Sequence, residues 1–370
     1  MRRAIQLAEN SELTAHPNPM VGAVIVGPSG RILGEGYHHA AGEPHAEVNA
    51  IRSVRPEDLA LLPQSTIYVT LEPCAHYGRT PPCAELLIRH HIGRVVVGCV
   101  DPFTKVGGRG IGMLREAGIE VTVGVLREEC LYLIRHFICA QTMRRPFITL
   151  KWARSADGYI DRRRTSYDAD GPAAHLSTPL TQIHVHHLRA SHQAILVGRK
   201  TLELDRPSLS VRHYGGRSPL RCVLGGVGEE ALNAGYQAYA DIDSLLEGLR
   251  REGIQSLLVE GGAQTLQSFI ERDLWDEAWE EHSDVPLRPK SPNGPTPGPS
   301  LRGRGVVTSH EEEFSETVVS TPLPHRGGSG VGLIPAPEMP HCFRPEREMH
   351  FGVEFYHWKS PVLQKHYVDF

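Results

Sequence analysis

At 370 residues the chain is longer than one hydrophobic core usually serves, so two domains are expected. Its 40% hydrophobic and 22% charged residues are an ordinary globular composition, and a net charge of −4 leaves no basic footprint for nucleic acid. No apolar run reaches the roughly 18 residues of a membrane span. The opening MRRAIQLAEN reads as an amphipathic helix rather than a signal peptide, and seven cysteines, an odd number, argue for a reducing cytoplasm rather than a secreted disulfide framework.

In chain order, VGAVIV (21–26) and residues 32–36 read as a hairpin around Pro28-Ser29-Gly30. Pro44 begins a helix through Ile51, TIYVTL (66–71) is a strand, and 82–90 a helix. RVVVGC (94–99) is the next strand, followed by a helix at 110–117 and a strand at 119–123. This alternation argues for a three-layer α/β domain. A helix over 126–140 closes it. A second unit starts near Pro146 with strand 147–153, helix 178–190 and strand 194–198. The helix 242–251, the strand 256–260 and a helix from Gly262 to Arg272 follow. From Pro286 to Pro345, twelve prolines and many glycines and serines remove any period, so loop or disorder is expected. HFGVEFYHW (350–358) is the last predicted strand.

The first concentration of chemistry is His45-Ala46-Glu47, at the start of the Pro44 helix, with Cys74 and Cys83 further on. Metal-binding cysteines usually stand two to four residues apart, whereas AHYGRTPP separates this pair. A stretched metal clamp, a disulfide and two unrelated thiols all compete. A reducing compartment counts against the disulfide. A lone histidine or cysteine is more often a helix-end imidazole or a buried thiol. Here H-A-E, P-C and P-P-C occur in order, each before a helix. One imidazole and two thiolates suit zinc with the fourth position open to water, which is a catalytic rather than a structural arrangement. Pro81-Pro82 sets Cys83 in a first helical turn, where the helix dipole favours a thiolate. Glu47, two residues past the histidine, is placed to take a proton from the water and pass it to a leaving amine. This is the layout of a hydrolytic deaminase.

PNPMVGAVIV, GEGYHHAAGEPHAEVNAI, VTLEPCAHYGRTPPCAELLI and VGGRGIGMLREAGIEV are similar to the deaminase half of the bifunctional riboflavin-biosynthesis deaminase/reductase family. The similarity runs from Met1 to about Arg145. In that family the long insert between the cysteines is the rule, and it separates these enzymes from cytidine and tRNA-adenosine deaminases. The resemblance implies zinc on His45, Cys74 and Cys83, with Glu47 as the proton shuttle. It implies substrate contacts from Asn18, His38, Arg79 and Asp101. An Arg79 guanidinium matches the geometry of a phosphate. The implied reaction is hydrolytic deamination of a diamino-ribosylamino-pyrimidinone 5′-phosphate to the corresponding aminouracil.

PFITLKWARSADGYID, ILVGRKTLELDRPSLSVR and LLVEGGAQTL resemble the reductase half of the same family, whose fold is like dihydrofolate reductase. From the residues alone, LLVEGGAQ is a strand ending in a Gly-Gly turn that opens a helix. Backbone amides there can meet a dinucleotide phosphate, but no G-x-G-x-x-G supports a Rossmann fingerprint, and a plain strand–turn–helix is an equal alternative. The resemblance implies substrate contacts at Leu209, Arg212 and Glu260, with Lys151 beside the substrate. It implies NADP contacts at Thr201, Asp205 and the turn beginning at Gly262. Hydride transfer from NADPH would then open the ribose ring to a ribityl chain. Several positions depart from the family. His175 stands where Trp is frequent, Gln182 where Arg is frequent, and Arg206-Pro207 follows Asp205. Between RCVLGG and LLVEGG the chain is short by about one βα unit, and the Pro/Gly-rich stretch near 286–328 has no counterpart. These departures favour a weakened or lost reductase beside an intact deaminase.

The expected fold is a cytidine-deaminase-like three-layer α/β/α domain over residues 1–143, then a dihydrofolate-reductase-like α/β domain over 146–370. The expected cofactors are Zn2+ and NADPH. The expected partner is a small phosphorylated pyrimidine, with no nucleic acid and no membrane, for a cytoplasmic homo-oligomer. A nucleoside or nucleic-acid deaminase is disfavoured by the cysteine insert and the acidic charge. A non-catalytic zinc-stabilised binding module is disfavoured by Glu47, which such a module does not need.

Overall fold

Short apolar runs, each closed by a turn or a helix start, build the first sheet. The computed structural model describes residues 1–77, 81–102, 107–288, 333–337, 339, 345–350 and 353–360. Its first half runs α1 (Arg2–Glu9), β1 (Gly22–Val26), β2 (Ile32–Tyr37), α2 (Ala46–Arg52), a 3-10 helix (Pro56–Gln64) and β3 (Thr66–Leu71). It continues with α3 (Cys83–Arg89), β4 (Arg94–Cys99), α4 (Arg109–Glu116), β5 (Glu120–Val123), α5 (Arg127–Leu133) and α6 (Arg135–Thr142). The strand order is β2-β1-β3-β4-β5, with β1 antiparallel to both neighbours and β3, β4 and β5 parallel. β4 is buried on both faces, which is why it reads as a continuous valine run. Helices α2, α3 and α4 pack on one face through Ala46, Ala50, Leu87 and Leu114. The other face meets Ala8 of α1 and Cys130 and Leu131 of α5. The helix expected over 126–140 is broken at Ile134, where φ is −104° and ψ 19°. Neither proline nor glycine marks that break. Leu131, Ile134 and Ile138 instead turn into one apolar cluster with Phe147 of the second half.

The second half runs β6 (Phe147–Arg154), β7 (Tyr159–Arg162), α7 (Tyr167–Asp170), α8 (Thr181–Ser191), β8 (Ala194–Gly198) and α9 (Arg199–Asp205). Then come β9 (Leu220–Leu224), α10 (Glu229–Asn233), β10 (Tyr236–Tyr239), α11 (Ile242–Arg251), β11 (Ser256–Val259) and α12 (Ala263–Glu271). β12 (Glu277–His282), β13 (Leu333–Pro335), β14 (Glu346–His350) and β15 (Val353–Lys359) complete it. The main sheet has the order β10-β9-β8-β11-β6-β12-β15-β14, parallel from β10 to β12, with β15 antiparallel to β12 and β14 antiparallel to β15. The expected shortfall between β9 and β11 does not open this sheet. GYQAYA supplies the edge strand β10, too short to be read from its pattern, and β8, β11 and β6 remain flanked on both sides. Residues 289–332, where most of the Pro/Gly-rich loop was expected, lie outside the described residues. The expectation is corrected at Leu333–Pro335, which pairs with β7.

The two halves meet in a polar seam within an apolar surround. Gln255 Nε2 donates to the Pro17 carbonyl at 2.9 Å, and His187 Nε2 lies 2.8 Å from Glu12 Oε2. His16, His136 and His192 follow one another with ring centroids 5.5 Å apart. Burial pushes all three below the ordinary histidine value, His192 to about 4. Unfolding restores the ordinary value, so between about pH 6.5 and 4 the unfolded chain binds protons that the folded chain does not. Stability is therefore full above that window and falls as pH is lowered through it. The urea midpoint is expected to drop from pH 7.5 to pH 5, and to drop less in His192→Gln. A midpoint equal at the two pH values would contradict this.

Candidate active sites

α2 lies unusually close to β2 because Gly34 and Gly36 present no side chain. A Cβ at either position would come within 2.3 Å of Ala50 backbone atoms. That close approach puts the start of α2 beside the loop between β3 and α3. His45 is the N-cap residue of α2, in extended geometry (φ −68°, ψ 164°). Its Nδ1 stands 3.6 Å from Cys74 Sγ and 3.3 Å from Cys83 Sγ. A tetrahedral zinc about 2.3 Å from sulfur and about 2.0 Å from nitrogen keeps its ligand atoms about 3.5 Å apart. The three donors therefore fit zinc. The Cys83 backbone N–H donates to Cys74 Sγ at 3.2 Å. The hydrogen bond from Cys83 outweighs burial and lowers the Cys74 thiol to about 4, while Cys74 and burial push the Cys83 thiol up. A second thiolate thus requires a strong local positive charge, which a divalent ion supplies. Both cysteines are free, which disposes of the disulfide.

Glu47 sits in the first turn of α2, 3% exposed and on the same wall as the three donors. Burial, then the negative charge of Cys74, pushes its carboxyl up to about 7. Asn18 and His38 are brought to this centre. The Asn18 amide donates to His38 Nε2 at 3.0 Å, and His38 Nδ1 donates to the Pro44 carbonyl at 3.2 Å. The His38 ring meets His45 edge-on at 5.6 Å between centroids. Asp101 follows β4, and its backbone N–H donates to Glu72 Oε2 at 3.2 Å. Arg79 lies outside the described residues.

The second site is a cleft of about 1560 Å³ at the carboxyl ends of the parallel strands, where open α/β sheets take their ligands. Lys151, Thr201, Asp205, Arg212, Glu260 and Gly262 all line it. Leu209 does not. It is 2% exposed and packs with Leu188, Val223 and Tyr236 in an apolar cluster, so its side chain supports the wall from behind. The Gly261-Gly262 turn is fixed by space. A Cβ on Gly261 would lie 2.7 Å from Val197 Cβ, and Gly262 has φ +67° and faces the Thr201 hydroxyl. α12 opens immediately after it. A turn without side chains at a helix start, with Arg163, Arg199 and Lys200 on the same cleft, fits the phosphates of a dinucleotide. Glu260 accepts a two-pronged bond from Arg189 at 2.8 and 2.6 Å. Burial opposes its ionisation, but Arg189 outweighs burial and holds the carboxyl below its ordinary range. Asp205 is paired with Arg164, which also bonds Asp161 at 2.7 Å.

Residues 1–99 match the cytidine and deoxycytidylate deaminase zinc-binding region, and residues 146–279 match the RibD C-terminal domain. The riboflavin biosynthesis protein RibD of Aquifex aeolicus is 37% identical over 308 residues, covering 75% of this chain and 83% of that one. The chain belongs to the RibD family. The same protein of Bacillus amyloliquefaciens is 36% identical over 313 residues, covering 75% and 81%. Among solved structures, a diaminohydroxyphosphoribosylaminopyrimidine deaminase/5-amino-6-(5-phosphoribosylamino)uracil reductase from Thermotoga maritima superposes with a TM-score of 0.74 at 30% identity, covering 97% of each chain. Acinetobacter baumannii RibD gives 0.73 at 27%, also covering 97% of each. Both halves of a RibD protein are therefore present, and the reading as a deaminase with a degenerate reductase half is set aside.

Two residues of this RibD chain escaped the sequence reading. Glu72, between β3 and Cys74, is 5% exposed and accepts backbone N–H bonds from Asp101, Gly108, Gly110 and Ile111. It ties the start of α4 to the loop that carries the zinc ligands. Its position in LEPC, directly before the Pro-Cys element, was the available signal. Arg189 escaped because nothing local links LRA on α8 to VEGG, and its pairing with Glu260 spans 71 positions.

Proposed function

We propose that the chain carries out two successive steps of riboflavin synthesis. Residues 1–143 deaminate 2,5-diamino-6-(ribosylamino)-4(3H)-pyrimidinone 5′-phosphate, and residues 146–370 reduce the ribosyl group of the product to ribityl. The observation that carries this reading is a His-Cys-Cys donor set with a buried carboxyl, Glu47, on the same wall and free of ligand duty. His45, Cys74 and Cys83 would hold zinc, which when bound would supply a water acidified toward a pKa of about 7. Glu47 takes the proton of that water and delivers it to the departing amine, so the ring gains a carbonyl oxygen and releases ammonia. Its buried setting lets it hold the proton between the two transfers. Asn18 and His38, locked together and to the Pro44 carbonyl, form the wall on which the pyrimidine rests.

In the second step NADPH, bound in the second cleft, would supply the hydride. The Gly262 turn and Thr201 would hold its phosphates, and Lys151, Arg212 and Glu260 would hold the substrate elsewhere in the cleft. Glu260 is presented ionised by Arg189, which suits it to accept hydrogen bonds from ribose hydroxyls. The free cysteines among the described residues support a reducing, cytoplasmic setting. Light scattering decides whether the expected homo-oligomer forms.

The test uses Cys83→Ala in the full chain. Zinc per chain and deamination are expected to be lost together, while NADPH oxidation with the deaminated product is kept. Deamination that survives without zinc overturns the first assignment. Absence of NADPH turnover in the wild-type chain overturns the second.

A further inference from the structure

Lys151 reaches the cleft from β6, and one residue behind the cleft wall touches both it and the neighbouring wall. Glu281, in β12, is fully buried. In the parallel register Trp279 faces Lys151 and Glu281 faces Ala153, so the two charged residues share one face of the sheet. The Lys151 ammonium lies 3.6 Å from Glu281 Oε2. The Ser177 hydroxyl donates to the same oxygen at 2.6 Å, and the Thr181 hydroxyl donates to Oε1 at 2.6 Å. Lys151, Leu176, Ser177 and Gln182 line the cleft, whereas Glu281 does not. One carboxylate thus joins a cleft lysine on β6, a hydroxyl of the loop before α8, and the first residue of α8. All three partners give up freedom to it, and none of the sequence motifs marks it. A carboxylate in the middle of a sheet is costly to bury without such partners, so the arrangement persists only while all three are in place.

We propose that Glu281 is a positioning residue of the reductase, fixing the Lys151 ammonium and the Ser177 loop against each other so that the cleft is set for hydride transfer. The proposal rests on the reading of the second half as a reductase with Lys151 beside the substrate.

Glu281→Gln in the full chain keeps the size of the side chain and one acceptor oxygen but removes the charge facing Lys151. The expected result is a fall of about 10- to 100-fold in kcat for reduction, the scale of a group displaced by about 1 Å. NADPH affinity and deaminase turnover are expected to be unchanged, while the thermal midpoint falls because the buried Lys151 ammonium loses its counter-charge. Glu281→Asp keeps the charge and is expected to recover part of kcat. In a Lys151→Gln background, Glu281→Gln is expected to add no further loss, because residues acting through one another are not additive. Wild-type kcat in Glu281→Gln overturns the proposal. So does a full additive loss in the double variant, or a joint fall in NADPH affinity and thermal midpoint, which marks a purely structural role. Lys151→Gln alone examines the underlying reading: full reductase activity there removes Lys151 from the reaction whatever Glu281 does.

Discussion

Exchanging Glu47 for Gln is expected to lower deaminase turnover by about 10²–10⁴-fold, the usual contribution of a positioned acid/base group, with zinc per chain unchanged. The amide has the shape of the carboxyl but cannot take a proton from water or return one to an amine. Zinc is retained because the donor atoms that lie together are those of His45, Cys74 and Cys83, and Glu47 is not among them. The fold is retained because Glu47 lies in the first turn of α2, where an amide of equal volume fits the same buried space. NADPH oxidation by the same preparation serves as the internal control, since the second cleft shares no residue with this site. Zinc lost along with activity would make Glu47 a ligand and the assigned role wrong. Activity retained at the wild-type level would require another proton carrier beside the metal.

What could be read from the sequence was what the chain keeps local. His45 and Glu47 are two residues apart at a helix start, and each cysteine sits behind a proline, so the zinc centre was visible although AHYGRTPP separates its sulfurs. The remainder depended on partners distant in sequence. Glu72 looks like a solvated charge until the chain returns with Gly108 and Gly110 to cap it. β12 was overlooked because EAWEEH carries three glutamates, and only the fold shows Glu277 buried against Arg135, Glu280 against Trp152, and Glu281 against Ser177 and Thr181. The shortened connection between β9 and β11 was among the departures that favoured a weakened or lost reductase. That inference fails for a topological reason. The connection feeds the sheet edge at β10, whereas most of the cleft is built on the ends of β8, β11 and β6, with Leu224 alone contributed by β9.

The other large effect is expected at the junction of the halves. Arg145 is the last residue before Pro146, and its guanidinium grips Asp276 at 2.6 and 2.9 Å. Asp276 is fully buried and also accepts the Ile148 backbone N–H at 2.8 Å, so a single carboxylate fixes the linker, the start of β6 and the approach to β12. Arg145→Met leaves that charge in the interior with only neutral donors, the Ile148 N–H and the Cys139 thiol, and removing one partner of a buried pair costs about 3–5 kcal/mol. Asp276→Asn is milder, because an amide oxygen can still accept from Ile148 while the guanidinium, 12% exposed at its side chain, retains some access to water. The order of denaturant midpoints is therefore wild type above Asp276→Asn above Arg145→Met, read on the loss of NADPH oxidation and of tertiary structure together. The reverse order, or an Arg145→Met midpoint equal to wild type, would mean that water reaches Asp276 and that apolar packing around Phe147 alone holds the halves together.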